Sequence, residues 1–151
     1  MADTIEAKVT HKSPAAPEQV YDAWLDPDLV RRWMAAALQE SGLEGDMVRC
    51  EINAVEGGEF VFSDRRGGTE TRHRGHYRHL DRPRRLTFTW ITEEAEVNDP
   101  SKVTLIVEAD PDGGAVVTLY HEMLDKWAEQ REGTERSWRR MLEQIDNVVA
   151  R

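Results

Sequence analysis

The chain has 151 residues, a mass of 17.3 kDa, 39% hydrophobic and 32% charged residues, and a net charge of −9. That length suits one domain whose core buries roughly 70% of the unfolded surface, without disulfide staples. The balance of apolar and charged residues excludes both a disordered chain and a bilayer-embedded one. The longest uncharged, mostly apolar run, Trp33 to Gln39, is far shorter than the ~20 residues a bilayer demands. No basic start followed by an apolar stretch marks a signal peptide, so a cytoplasmic protein with no membrane partner is expected. Cys50 is the single cysteine, which excludes an intrachain disulfide and Cys-rich zinc sites. Residues 64 to 85 gather eight Arg against three acids, while the chain as a whole is acidic. Such a balance argues against nucleic acid as a partner, since that binding relies on a broad basic footprint. The cluster suits an acidic partner or simply a solvated face.

Thr4 to Lys12 alternates, with Ile5, Ala7, Val9 and His11 on one face, as a half-buried strand does. Pro14 and Pro17 end it, and Pro17 suits the first position of a helix carrying Val20, Trp24 and Leu25. Asp26-Pro27-Asp28 restarts the helix with an N-cap, a first-turn Pro and an acid near the positive end of the dipole. Leu29, Val30, Trp33 and Met34 continue that second short helix. The period then changes to two at Val48, Cys50 and Ile52. Gly57-Gly58 turns the chain into a strand bearing Phe60 and Phe62, and Gly67-Gly68 makes the next turn. Glu70 to Leu80 reads as a long strand with Tyr77 inward and Leu80 out of phase, the mark of a bulge or a strand end.

After the turn at Asp81-Arg82-Pro83, Leu86, Phe88 and Trp90 share a face. Asn98 to Ser101 turns again, ahead of Val103, Leu105 and Val107. Asp112-Gly113-Gly114 closes a hairpin onto Val117, Leu119 and His121. A short helical stretch from Asp125 to Arg131 leads to a terminal helix, with Gly133 expected to separate or kink the two. Trp138, Leu142, Ile145 and Val149 recur at helical spacing along its buried stripe.

The order strand, helix, helix, six strands, helix describes an α+β chain: a curved seven-stranded antiparallel sheet gripping a long C-terminal helix. A cylinder does not fill a trough, so an apolar cavity is expected between them. Its lining would be Phe60, Phe62, Tyr77, Leu86, Phe88, Trp90, Leu105, Leu119, His121, Trp138 and Leu142.

Four segments carry a resemblance. "SPAAPEQVYDAWLDPDLVRRWM" (13–34), "GGEFVF" (57–62), "RGHYRHLDRPRRLTFTW" (74–90) and "SWRRMLEQI" (137–145) occur in order over essentially the whole chain. Together they resemble the activator-of-heat-shock-protein-90-ATPase-homologue-like family of the START-like (SRPBCC) superfamily, which implies the helix-grip fold. Two departures stand out. Asn53 and Val55 replace an Asp-x-Arg pair before the Gly-Gly turn, and Ser137 replaces a Gly before the helix Trp.

Chemistry is sparse. The strand phases of Glu6, Glu51, Glu59, Glu70, Glu108 and Glu122 point away from the helix, so no carboxylate pair emerges for acid–base work. Asp64 is in the inward phase at a strand end, and Glu135 is expected near the cavity mouth. Cys50 reads as an inert core thiol. In a strand, His76 faces away from His73 and His79, which lie about 20 Å apart at roughly 3.3 Å per residue, so no metal site is expected. His121 is the candidate polar anchor, or the proton-transfer group if the protein is an enzyme. Trp127 is a candidate lid over the cavity mouth. The expected function is therefore binding of a small apolar or amphipathic ligand, with no cofactor. The resemblance leaves two alternatives: a co-chaperone module whose partner surface is Arg72, Arg74 and Arg78, and a polyketide-cyclase-like enzyme using His121.

Overall fold

A computed structural model describes residues 3–92 and 100–149. Thr4–Ser13 forms β1, and Pro17–Ala23 and Pro27–Glu40 form α1 and α2. Asp46–Ile52, Glu59–Arg66, Thr69–Asp81, Arg85–Trp90, Ser101–Ala109 and Ala115–Leu124 form β2 to β7. A 3-10 turn at Asp125–Gln130 then feeds α3, Arg131–Val149. The strands make one antiparallel sheet in the order β1-β7-β6-β5-β4-β3-β2. Chain neighbours pair throughout, except that β1 returns to lie beside β7. This is the helix-grip architecture that the element order implies.

Local chemistry sets the helices. Asp26 Oδ1 accepts from the backbone N–H of Asp28 at 2.9 Å, and Pro27 occupies the position whose N–H would go unused. The Trp33 indole N–H donates to the Ala23 carbonyl at 2.9 Å, which fixes the angle between α1 and α2. α3 presents Trp138, Leu142 and Ile145 to the sheet. It is tied to β1 at both ends, by Glu135 Oε2 accepting from Lys8 N–H at 2.9 Å and by a 2.6 Å hydrogen bond between His11 and Asp146.

In β4 the register shifts between Tyr77 and His79, the bulge that Leu80's phase foretells. It corrects one expectation. His79 turns to the exposed side with His76, where the two rings meet Glu56 and Glu59, and only His73 stays on the inner face. A second correction concerns Gly133, which neither separates nor kinks the helices. It lies inside α3, and the non-helical residue is Trp127 in the 3-10 turn before it. The turn expected at Asn98 and Asp99 falls outside the described residues.

Candidate functional site

The trough between sheet and helix is filled at its centre. Trp24, the residue that caps the C-terminal end of α1, reaches in and meets Trp138 at 5.9 Å, Phe88 at 6.0 Å and Trp33 at 5.0 Å between ring centroids. Phe60 packs on Phe62, Tyr77, Phe88 and Trp90 at 4.9 to 6.0 Å. Five residues expected to line an open cavity, Phe60, Phe62, Tyr77, Leu86 and Phe88, instead join Trp24 around a void of about 10 Å³. That is room for one water at most. Leu105, Leu119 and Leu142 are fully buried in the core, away from that void. Trp24, expected on the packing face of the first helix, occupies the volume expected to be open.

Inside that aromatic cluster two polar atoms have no partner among the described residues, the Trp24 indole N–H and the Tyr77 hydroxyl. Burial, with a smaller push from Tyr21, moves the Tyr77 hydroxyl's ionisation well above the ordinary tyrosine range.

Open space lies farther along, where β5 ends and β6 begins. A cavity of about 700 Å³ sits there between the sheet, the 3-10 turn and the first half of α3. Trp90, His121 and Trp138 are the expected lining residues that it brings together. The sequence reading missed Ser101, Met123, Thr134 and Met141 in its wall. Ser101, expected only in a turn, sits at the start of β6 and faces the opening. His73 also lines it, its ring stacked on Trp90 with centroids 5.1 Å apart. Trp127 stands at the mouth, under the Lys126 ammonium at 5.3 Å. Ser137, the residue in place of the usual Gly, lines the wall. Glu135 does not, because it is turned toward the β1 backbone.

One hydrogen-bond relay organises the wall. The Trp138 indole N–H donates to His121 Nδ1 at 2.9 Å. Nδ1 must therefore be unprotonated, so in the neutral ring Nε2 carries the proton and donates to Ser101 Oγ at 2.8 Å. Ser101 Oγ in turn donates to the Trp90 carbonyl at 2.7 Å. The relay links β5, β6, β7 and α3 around the opening. Within it the His121 ring is only 6% exposed.

The remaining candidates lie elsewhere. Asp64 is fully buried and held by Arg66, with Nε–Oδ2 at 2.8 Å. Cys50 is half-buried against the core, and its thiol ionisation is pushed up by burial. Arg72, Arg74 and Arg78 alternate with inward Tyr77 and so project from the outer face of β4. Arg72 lies 3.6 Å and Arg49 3.3 Å from Glu70, whose carboxyl is held below the usual range, first by the Ser63 hydroxyl and then by these arginines. Among the described residues no cluster of three or more His, Cys, Asp or Glu is arranged to hold a metal ion. No described helix is long and apolar enough to cross a membrane.

The model of one protein family, described as activator of Hsp90 ATPase homolog 1-like protein, matches residues 14–150. Similar solved structures include a Staphylococcus aureus protein of unknown function, 18% identical, with a TM-score of 0.81 over 99% of this chain and 95% of that one. A Chromobacterium violaceum protein is 23% identical, with a TM-score of 0.75 over 97% and 96% of the two chains. An AHSA1-like protein from Aeromonas hydrophila is 23% identical, with a TM-score of 0.74 over 97% and 92%. No protein of curated function matches the chain.

Proposed function

The chain belongs to the activator of Hsp90 ATPase homolog 1-like family, and from that footing we propose that it binds a small amphipathic molecule in the cavity beneath the first half of α3. The observation that carries this reading is the 700 Å³ opening, in which Trp90, Trp127, Trp138, Met123 and Met141 form an apolar wall facing polar and charged side chains such as Thr134, Ser137, Glu132 and Arg136. Cavities of roughly 300–1,000 Å³ with apolar walls and a few placed polar groups are the usual form of small-molecule sites. Burying ~250 Å² of apolar ligand surface there would offer about 6 kcal/mol before association costs.

The relay through His121 supports a binding role over a catalytic one. Both ring nitrogens are occupied in holding Trp138 and Ser101, so the ring serves to position the wall. The co-chaperone alternative has less support, because Arg72 of its expected surface is already balanced by Glu70.

Native mass spectrometry of protein isolated from its own cells tests the proposal, read alongside a Ser137→Trp variant that fills the opening. A small-molecule adduct is expected on the wild type and not on the variant. The ligand-free mass alone for both, with no binding of added amphiphiles to the wild type, contradicts it.

A further inference from the structure

A second cleft, of about 340 Å³, opens on the other side of α3, where the C-terminal end of α2 meets the far ends of β3 and β4. Its apolar walls come from Met34, Leu38, Leu43 and Met141, and its polar rim carries the guanidinium groups of Arg66 and Arg140. His73, Ser137 and Met141 border both this cleft and the larger cavity. The two openings therefore adjoin at α3, with these three residues as their common wall.

The halves differ in charge. The wide mouth mixes Glu129 and Glu132 with Arg136. The narrow end is lined by two arginines and no carboxylate, although the chain carries 29 acidic against 20 basic residues. Asp64 neutralises Arg66 from behind, out of contact with solvent. Arg140 is held differently. Its Nη1 donates to Ser41 Oγ at 2.8 Å, and Ser41 Oγ donates to the Ala37 carbonyl at 3.1 Å. This fastens the guanidinium at the rim through one of its five N–H groups, and among the described residues it pairs with no carboxylate. From Gly133 at the wide mouth to Arg140 is about 10 Å along the helix, at 1.5 Å per residue.

We infer that the ligand is an anionic amphiphile, a carboxylate with an apolar body on the order of ten carbons long. Its head group meets Arg140 and the outer edge of Arg66, and its body lies past Met141 toward Trp90 and Trp138. The inference rests on the cavity being a ligand site, as proposed above, and adds the chemistry of what enters. A planar guanidinium fork matches a carboxylate bidentately, and a charge-assisted pair beside an apolar wall discriminates strongly against a neutral head group.

The test compares decanoate with decanol, read by tryptophan fluorescence, on the wild type, Arg140→Gln and Arg140→Lys. Decanoate is expected to bind the wild type about tenfold more tightly than decanol and to weaken as salt is added. Arg140→Gln should lower decanoate affinity about five- to tenfold, lower decanol affinity by less than about twofold, and be partly rescued by Arg140→Lys. Equal binding of both probes, or decanoate binding indifferent to Arg140→Gln and to salt, overturns the anionic head group while sparing the ligand site. Failure of both probes to bind the wild type overturns the site itself. The salt series needs only the wild type, so it remains decisive if a variant folds poorly.

Discussion

Tyr77→Phe removes a single oxygen from the middle of the core, and its effect can be worked out in some detail. Tyr77 is 2% exposed, and its hydroxyl has no hydrogen-bond partner among the described residues. A buried polar group without a partner costs about 1–3 kcal/mol in lost solvation, so removing it should stabilise the fold by about 1 kcal/mol. For a chain of this size that raises Tm by about 2–4 °C. A second signature appears at alkaline pH. The folded-state ionisation of Tyr77 lies well above its unfolded value of 10.0. Above pH 10 the unfolded chain therefore sheds a proton that the folded chain keeps. Stability is complete below that pH and falls as pH rises, by at most about 1.4 kcal/mol per pH unit for such a group. Tyr21 is also raised, by burial and then by Asp81 and Asp22, so the Phe variant should keep a shallower decline. Urea unfolding of both proteins from pH 7 to 11 measures both effects. A variant less stable than wild type by 1 kcal/mol or more, with an unchanged alkaline slope, would refute the reasoning and assign the hydroxyl a partner.

Two further substitutions probe the frame around the site. Gly75→Ala would place a Cβ 1.9 Å from the Thr89 carbonyl oxygen, where β4 crosses close to β5. A loss of about 3 kcal/mol or more is expected in denaturant titration, since backbone atoms on both sides must move. Arg66→Met strands the buried Asp64 carboxylate and should cost about 3 kcal/mol, while Asp64→Asn in the same chain should restore much of it. A double-mutant cycle with no coupling would show that the pair is not the reason Asp64 tolerates burial.

Much of the architecture was legible in the sequence because it depends on neighbours in the chain. Alternation gave the strands, the Asp26-Pro27-Asp28 run gave the start of α2, and Leu80 out of phase marked the bulge in β4. What was hidden depends on residues far apart. Nothing near Glu135 announces that Lys8, 127 positions away, will claim its carboxylate. Gly133 looked like a break because glycine disfavours helices. In place, a Cβ there would meet only the tip of Arg136 at 3.7 Å, and the helix simply runs through it. The candidate site was half visible. Trp90, His121 and Trp138 follow from strand and helix phase, but the open volume moved from the trough's centre to its end. Trp24, read as part of a helix face, fills the centre. Strand phase identifies which side chains point inward. It does not say which inward side chains leave room.

The five tryptophans supply the most direct check, through their indole N–H signals in a two-dimensional NMR titration with decanoate. Trp90, Trp127 and Trp138 border the opening, whereas Trp33 is fully buried with its N–H held by Ala23. Saturable shifts of the first three with Trp33 fixed are the predicted result. Five stationary signals, or five that move together, would contradict a ligand site beneath α3.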